Sequence, residues 1–259
     1  MNERRALVTG AGARLGRAMA IYLAGRGFDV AVHYAGSETG AAETVRLCDA
    51  EGVRAVALQA DLLDLAATEA LVARAAEALG GPLTLLVNNA SIFEHDRIVT
   101  MTPESWDRHL HSNLRAPMLL TQAFAAQPPD PGHDGEPLAS AQVVNMPDQR
   151  VHKLTPEFMS YTVAKMGLWA FTRTAAQGLA PGIRVNAIGP GPTLKGARQS
   201  EEHFARQRGA TVLERGADAD DITAALGYLL DAKAVTGQMI AVDGGQHLAW
   251  QTPDILGLE

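Results

Sequence analysis

Short apolar runs alternate with longer amphipathic stretches along nearly the whole chain, and this rhythm restricts the fold more than any other feature. RALVTG (5–10) reads as a strand running into a Gly-rich turn, and RLGRAMAIYLAGRG (14–27) as an amphipathic helix stopped by glycines. FDVAVHY (28–34) and VRAVALQ (53–59) read as the second and third strands, with the helix ETGAAETVRLCDAEG (38–52) between them. LAATEALVARAAEALGG (65–81) is helical and ends in Gly-Gly. LTLLVNNA (83–90) is apolar at successive positions, as a central parallel strand covered on both faces must be. TPESWDRHLHSN (102–113) opens with a Thr-Pro helix start and feeds a second helical stretch, APMLLTQAFAAQ (116–127). AQVVNM (141–146), the helix FMSYTVAKMGLWAFTRTAAQGLA (158–180), IRVNAIGPG (183–191) and GQMIAVDGG (237–245) complete seven strands. Alternation at this spacing predicts an α/β fold: a doubly wound, parallel sheet of about seven strands, with right-handed crossovers placing helices on both faces.

Nothing divides this pattern into two cores, so residues 1–259 are expected to form one domain. A hydrophobic content of 47% is enough to fill it. QPPDPGHDGEP (127–137) is rich in proline and glycine and reads as a surface loop. The net charge of −7 offers no footprint for DNA, RNA or an anionic membrane surface. The single cysteine, Cys48, cannot form an internal disulfide, which suits a reducing compartment. No long apolar stretch precedes the first strand and no run reaches transmembrane length, so a cytoplasmic chain without a membrane partner is expected.

At the first strand–helix junction stand Gly10, Gly12, Arg14, Leu15 and Gly16. Glycine lets backbone approach a pyrophosphate, and the following helix offers unpaired N–H groups to its charge. In that position the turn predicts a Rossmann-type dinucleotide site. The second strand ends in His33-Tyr34-Ala35-Gly36-Ser37, with no acid to bind a ribose 2′-hydroxyl; Asp29 comes too early. A 2′-phosphate meets no repulsion there and can bond Ser37, while Arg14 adds charge, so NADP(H) is expected in preference to NAD. Asp61, with Leu62 beside it, either accepts from the adenine amino group or caps the helix that follows.

Tyr161 and Lys165 lie four apart on a helix and so share a face. An ammonium beside a phenol lowers its pKa and tunes it for proton transfer, whereas an isolated pair of this spacing is commonly a surface pair. His109 and His111 point to different helix faces, and no His-x-x-x-His or cysteine cluster is present, so no metal site is expected. Ser91 has no nearby histidine to build a nucleophilic triad.

Taken in order, TGAGARLG at the first turn, Asn88-Asn89-Ala90, Asn113, Tyr161-x-x-x-Lys165 and Pro190-Gly191 resemble the short-chain dehydrogenase/reductase family over nearly the whole chain. The resemblance implies one domain, a nicotinamide cofactor contacted by Asn89, Ala90, Ser91, Tyr161, Lys165, Pro190 and Gly191, hydride transfer to a small molecule, and a homotetramer or homodimer. It also implies a proton path supported by Asn113 and a substrate lid over residues 193–216. The family usually has serine 13 positions before the tyrosine, and this chain has Asp148. An ionised carboxylate only accepts hydrogen bonds, and it favours the protonated phenol, opposing the lysine. Asp148, Arg14 in the first turn, Ser91 and Phe93 together resemble the pteridine reductase branch, in which the phenylalanine stacks on a pterin. The C-terminal VTGQMIAVDGGQHL is similar to dihydromonapterin reductases. That branch carries an arginine where this chain has Gly36. The function expected is NADPH-dependent reduction of a dihydropterin or dihydrofolate, with Asp148, Tyr161, Lys165 and Asn113 catalytic. The alternatives are a ketone or 3-oxoacyl-thioester reductase, and a nucleotide-binding scaffold with little catalysis.

Overall fold

A computed structural model describes residues 4–127, 131–196 and 199–252. Seven strands form one sheet: β1 (Arg5–Val8), β2 (Asp29–Tyr34), β3 (Ala55–Gln59), β4 (Leu85–Asn88), β5 (Ala141–Asn145), β6 (Ile183–Pro190) and β7 (Met239–Val242). All pairings are parallel and the order is β3-β2-β1-β4-β5-β6-β7. The order reverses between β1 and β4. In such sheets ligands bind beyond the carboxyl ends of the strands at this reversal.

Side-chain alternation divides the core in two. Ala6, Val8, Val30, Val32, Leu85 and Val87 face helices α1 (Arg14–Gly25), α2 (Glu38–Asp49) and α8 (Ala219–Asp231). Leu7, Ala31, Leu86, Val143 and Val185 face α3 (Leu65–Leu79), α5 (Ala116–Ala125) and α6 (Met159–Leu179). Each fully buried side chain such as Leu86 contributes about 1.5–3 kcal/mol of apolar transfer energy.

Several elements differ from those the sequence predicts. It names no element between residues 216 and 237, yet α8 occupies that stretch, opened by a reciprocal cap between Asp218 and Asp221. The helical stretch from residue 102 consists of α4 (Pro103–Leu110), a five-residue π turn (His111–Arg115) and α5. The loop expected over 127–137 contains a short antiparallel ladder, Gly132–His133 with Pro137–Leu138; residues 128–130 lie outside the described residues. Residues 197–198 of the expected lid lie outside them too, and its middle is helix α7 (Glu201–Gly209). No helix among the described residues is long and apolar enough to cross a membrane.

Candidate active site

The phosphate turn is held by close approach and by buried polar bonds. Gly10 has φ +65°, and a Cβ there would sit 3.0 Å from Ala90 Cα. A Cβ on Gly16 would collide with the Gly10 carbonyl and lie 2.6 Å from Asn89 Nδ2. Asn89 Nδ2 donates to Thr9 O at 2.8 Å, while Thr9 Oγ1 accepts from the N–H groups of Asn89 (2.9 Å) and Ala90 (3.0 Å). Thr9 thus locks β1 to β4 where the sheet reverses, a role the sequence did not single out. Ala13 caps α1 without a side-chain bond and its first turn carries no acid, which leaves the helix start suited to an anion.

His33 is not at the surface of this turn. It is 1% exposed, accepts from Gly10 N–H at 3.0 Å through Nδ1 and bonds Ala60 O at 3.1 Å through Nε2, a pattern that assigns the proton to Nε2. Burial pushes its pKa down to about 4. It therefore braces the turn from behind. Tyr34 and Leu15 are half-buried against the same core, and Ser37 is exposed at the start of α2. Arg17, absent from the sequence-based site, donates to Gly12 O (2.8 Å), Gly40 O (3.1 Å) and Thr44 Oγ1 (3.1 Å). A Cβ on Gly40 would lie 2.5 Å from Ser37 Oγ and 3.3 Å from Arg17 Nη2, so hydroxyl and guanidinium share one corner. Asp61 is exposed and accepts from Leu63 N–H at 2.9 Å, with Leu62 buried beside it. The cap of α3 belongs instead to Asp64, which accepts from Ala67 N–H.

Arg14 adopts φ +53°, a left-handed conformation that glycine adopts freely. Its guanidinium turns to the expected lid, donating to Leu194 O and Lys195 O at 2.8 Å each. At the lid's base Arg208 donates to Pro192 O (3.2 Å), Gly216 O (3.1 Å) and Ala217 O (2.6 Å) and pairs with Asp218. This staple ties the two ends of the segment. Pro190 and Gly191 end β6, where Gly191 N–H donates to Val242 O at 2.9 Å; a Cβ on Gly191 would lie 2.5 Å from Asp243 Cβ.

Beyond the carboxyl end of β5, Asp148 accepts from Arg150 N–H and from the Tyr161 hydroxyl, at 2.8 Å each. Burial raises both acidic groups; the carboxylate raises the phenol further, holding it well above the ordinary tyrosine range, while the Arg150 charge and, after it, the Ser91 hydroxyl oppose. This corrects the expectation that Lys165 depresses the phenol. The ammonium donates to Met146 O at 2.8 Å and stands 5.5 Å from the centre of the tyrosine ring; its field acts on Asp148. Burial lowers Lys165 itself to about 8. The couple is suited to releasing a proton from a neutral phenol.

One wall is aromatic. Phe93, 44% exposed, stacks on Phe158 (centroids 4.2 Å, 10°) and meets the Tyr161 ring edge-on at 4.7 Å. One face of Phe93 is thus taken by Phe158, which the sequence gave no reason to place there. Ser91 is exposed at the start of the same loop. Asn113 lies in the π turn, fully buried, accepting from Ile92 N–H (2.9 Å) and donating to Ile92 O (2.8 Å). Its amide fixes the Ser91–Phe93 backbone. No metal-binding cluster of histidine, cysteine, aspartate or glutamate occurs among the described residues, and His109 is buried in hydrogen bonds to Ser160 and Glu94 N–H.

Residues 10–247 match the family described as enoyl-(acyl carrier protein) reductase. A 3-oxoacyl-[acyl-carrier-protein] reductase, FabG, of Staphylococcus aureus is 31% identical over 250 residues, covering 95% of this chain and 98% of its own. The crystal structure of FolM alternative dihydrofolate reductase 1 from Brucella canis, complexed with NADP, superposes with a TM-score of 0.90 at 42% identity and covers 97% of each chain. A blue fluorescent protein from a metagenomic library, in complex with NADPH, superposes with a TM-score of 0.85 at 30% identity, covering 95% of this chain and 98% of its own.

Proposed function

The chain belongs to the short-chain dehydrogenase/reductase family, and from that premise we propose that it is an NADPH-dependent reductase of pteridines, of the dihydropterin, dihydromonapterin or dihydrofolate type. The carrying observation is the buried 2.8 Å bond from the Tyr161 hydroxyl to Asp148. A serine at 148 would donate to a ketone oxygen; a carboxylate instead accepts, from the phenol and from N–H groups at the edge of a heteroaromatic ring.

The residues present fit a dinucleotide. Gly10 and Gly16 let the turn fold tightly where a Cβ would strike Ala90, Asn89 or the Gly10 carbonyl, and the start of α1, without a side-chain cap, follows it. Ser37 and Arg17 together hold a 2′-phosphate, which supplies the cation that Gly36 does not. Asn89, Ala90, Ser91, Lys165, Pro190 and Gly191 contact the nicotinamide half. When bound, the cofactor supplies the hydride. Tyr161 supplies the proton from its Oη, Asp148 keeps that proton on the phenol until it is needed, and Lys165 orients ribose hydroxyls. Phe93 offers its open side to the flat substrate, with Arg14 and Ser91 at its rim. The 42% identity to FolM supports the pterin, and the 31% identity to FabG favours a second reading, reduction of a 3-oxoacyl thioester.

Consumption of NADPH with a 7,8-dihydropterin and with an acetoacetyl thioester separates the two. The pterin reading predicts turnover of the dihydropterin and stabilisation of the NADPH complex by methotrexate. Turnover of the thioester alone would end it.

A further inference from the structure

The long helix that carries Tyr161 and Lys165 begins in an unusual way. Phe158 stands at its cap in a left-handed conformation, φ +58°, and gives no side-chain bond to the first turn. The unpaired N–H groups are met from another part of the chain. Asp96, in the loop after β4, accepts Phe158 N–H (2.8 Å) and Met159 N–H (3.4 Å) on its carbonyl oxygen, and Ser160 N–H (3.1 Å) on its carboxylate. The carboxylate also takes the Ser160 hydroxyl in a short bond and the Ser105 hydroxyl at 3.3 Å. An anion at this helix end is favoured by the macrodipole as well as by the bonds.

The chain of bonds continues in one direction. His109 accepts from Glu94 N–H at 3.0 Å through Nε2, so its proton resides on Nδ1 and is donated to Ser160 Oγ at 2.7 Å. Ser160 then donates to Asp96. Asp96, Ser160 and His109 are all buried, at 2%, 0% and 0% exposure. Burial holds His109 below the ordinary histidine range, and the bonds from Ser160 and Ser105 hold Asp96 below the ordinary carboxylate range. Ser160 lies between histidine and carboxylate and is closed to solvent, so the cluster has no nucleophile to offer. It is placed for something else. It joins the 91–96 loop, which presents Ser91 and Phe93, to the first turn of the helix, which presents Tyr161, and to the start of α4.

We infer that Asp96 is a positioning residue for hydride-acceptor reduction, the buried carboxylate that sets the distance between the proton-donating phenol and the aromatic wall, while Glu157, paired with His95 and Arg97 of the same loop, closes the join at the surface. It touches neither cofactor site nor reacting atoms: its effect passes through Ser160 to Tyr161 and through the loop to Phe93. The assignment rests on Tyr161 being the proton donor proposed above, though not on the substrate being a pterin.

The test compares Asp96→Ala and Asp96→Asn with the wild-type chain, all saturated with NADPH. With whichever of a dihydropterin or an acetoacetyl thioester the wild-type chain reduces, Asp96→Ala lowers kcat/KM by about tenfold or more, the loss expected from sub-ångström misplacement. NADPH affinity stays within about twofold, because no bond links Asp96 to the turn. Asp96→Asn recovers part of the rate, since its amide oxygen still accepts from Ser160 N–H. Hydrogen exchange gives a readout free of turnover: in Asp96→Ala, amides 91–95 and 159–162 gain exchange together. Equal kcat/KM per folded molecule, a parallel loss of NADPH affinity, or faster exchange in the loop alone would each overturn the inference.

Discussion

Replacing His33 with leucine tests whether the phosphate turn is held from behind rather than by contact with the cofactor. In the folded chain His33 titrates near 4, against 6.5 for an unburied histidine. Above pH 6.5 the ring is neutral in both states and contributes nothing to pH dependence. As pH falls below 6.5, the unfolded chain binds a proton that the folded one refuses, so folding stability declines until about pH 4. A gap of about 2.5 units at ~1.36 kcal/mol per unit amounts to about 3 kcal/mol in all, about 2 kcal/mol of it by pH 5. Urea unfolding of the wild-type and His33→Leu chains at pH 7.5, 6 and 5 isolates this term, because the other titrating groups cancel in the difference. The variant loses stability at pH 7.5, where Gly10 N–H and Ala60 O are left buried without partners, at about 1–3 kcal/mol for each group. The gap between the two chains then narrows by about 2 kcal/mol at pH 5. A gap independent of pH would refute the buried, neutral imidazole. NADPH affinity falls in the variant because Gly10 loses the bond that holds its left-handed turn.

Lys165 gives a second pH dependence. With its free-enzyme value near 8, kcat/KM should fall as pH rises through about 8 and the ammonium loses its charge; a profile flat to pH 10 would contradict this. Arg17→Leu should weaken NADPH binding by about tenfold more than NADH binding, measured by fluorescence titration at low and high salt, since a charge-assisted bond to the 2′-phosphate is worth about 1.5–3 kcal/mol while loss of the bond to Gly12 O weakens both cofactors alike.

Much of the sheet was legible because its strands obey local rules. Val30-Ala31-Val32 and Leu85-Leu86-Val87 are apolar at successive positions, and burial on both faces of a parallel sheet demands that. α8 escaped notice because ADDITAALGYLLD follows a charged stretch and its cap, Asp218 with Asp221, resembles one more turn of it. The Tyr161–Lys165 spacing and the carboxylate at 148 were readable, and so were their opposed effects on the phenol, but not which of the two wins. Whether lysine or aspartate dominates depends on the 2.8 Å bond to Asp148 and on the Met146 carbonyl that takes the ammonium. Arg17 was illegible beside Ser37 because the two come to the corner at Gly40 from different helices. Asp96 and Phe158 meet through a left-handed cap and a backbone bond 62 positions apart, which no periodicity records. Arg14 was read as facing the ligand, and its guanidinium instead bonds Leu194 O and Lys195 O, partners that no local spacing records.

Pterin reduction at this site requires a phenol kept protonated by the carboxylate at 148. The most direct measurement is the NADPH-dependent kcat/KM of the wild-type and Asp148→Ser chains on a 7,8-dihydropterin and on an acetoacetyl thioester. The substitution is expected to lower the dihydropterin value by about tenfold or more and to spare or raise the thioester value. A serine variant that reduces the dihydropterin as fast as the wild-type chain would contradict it.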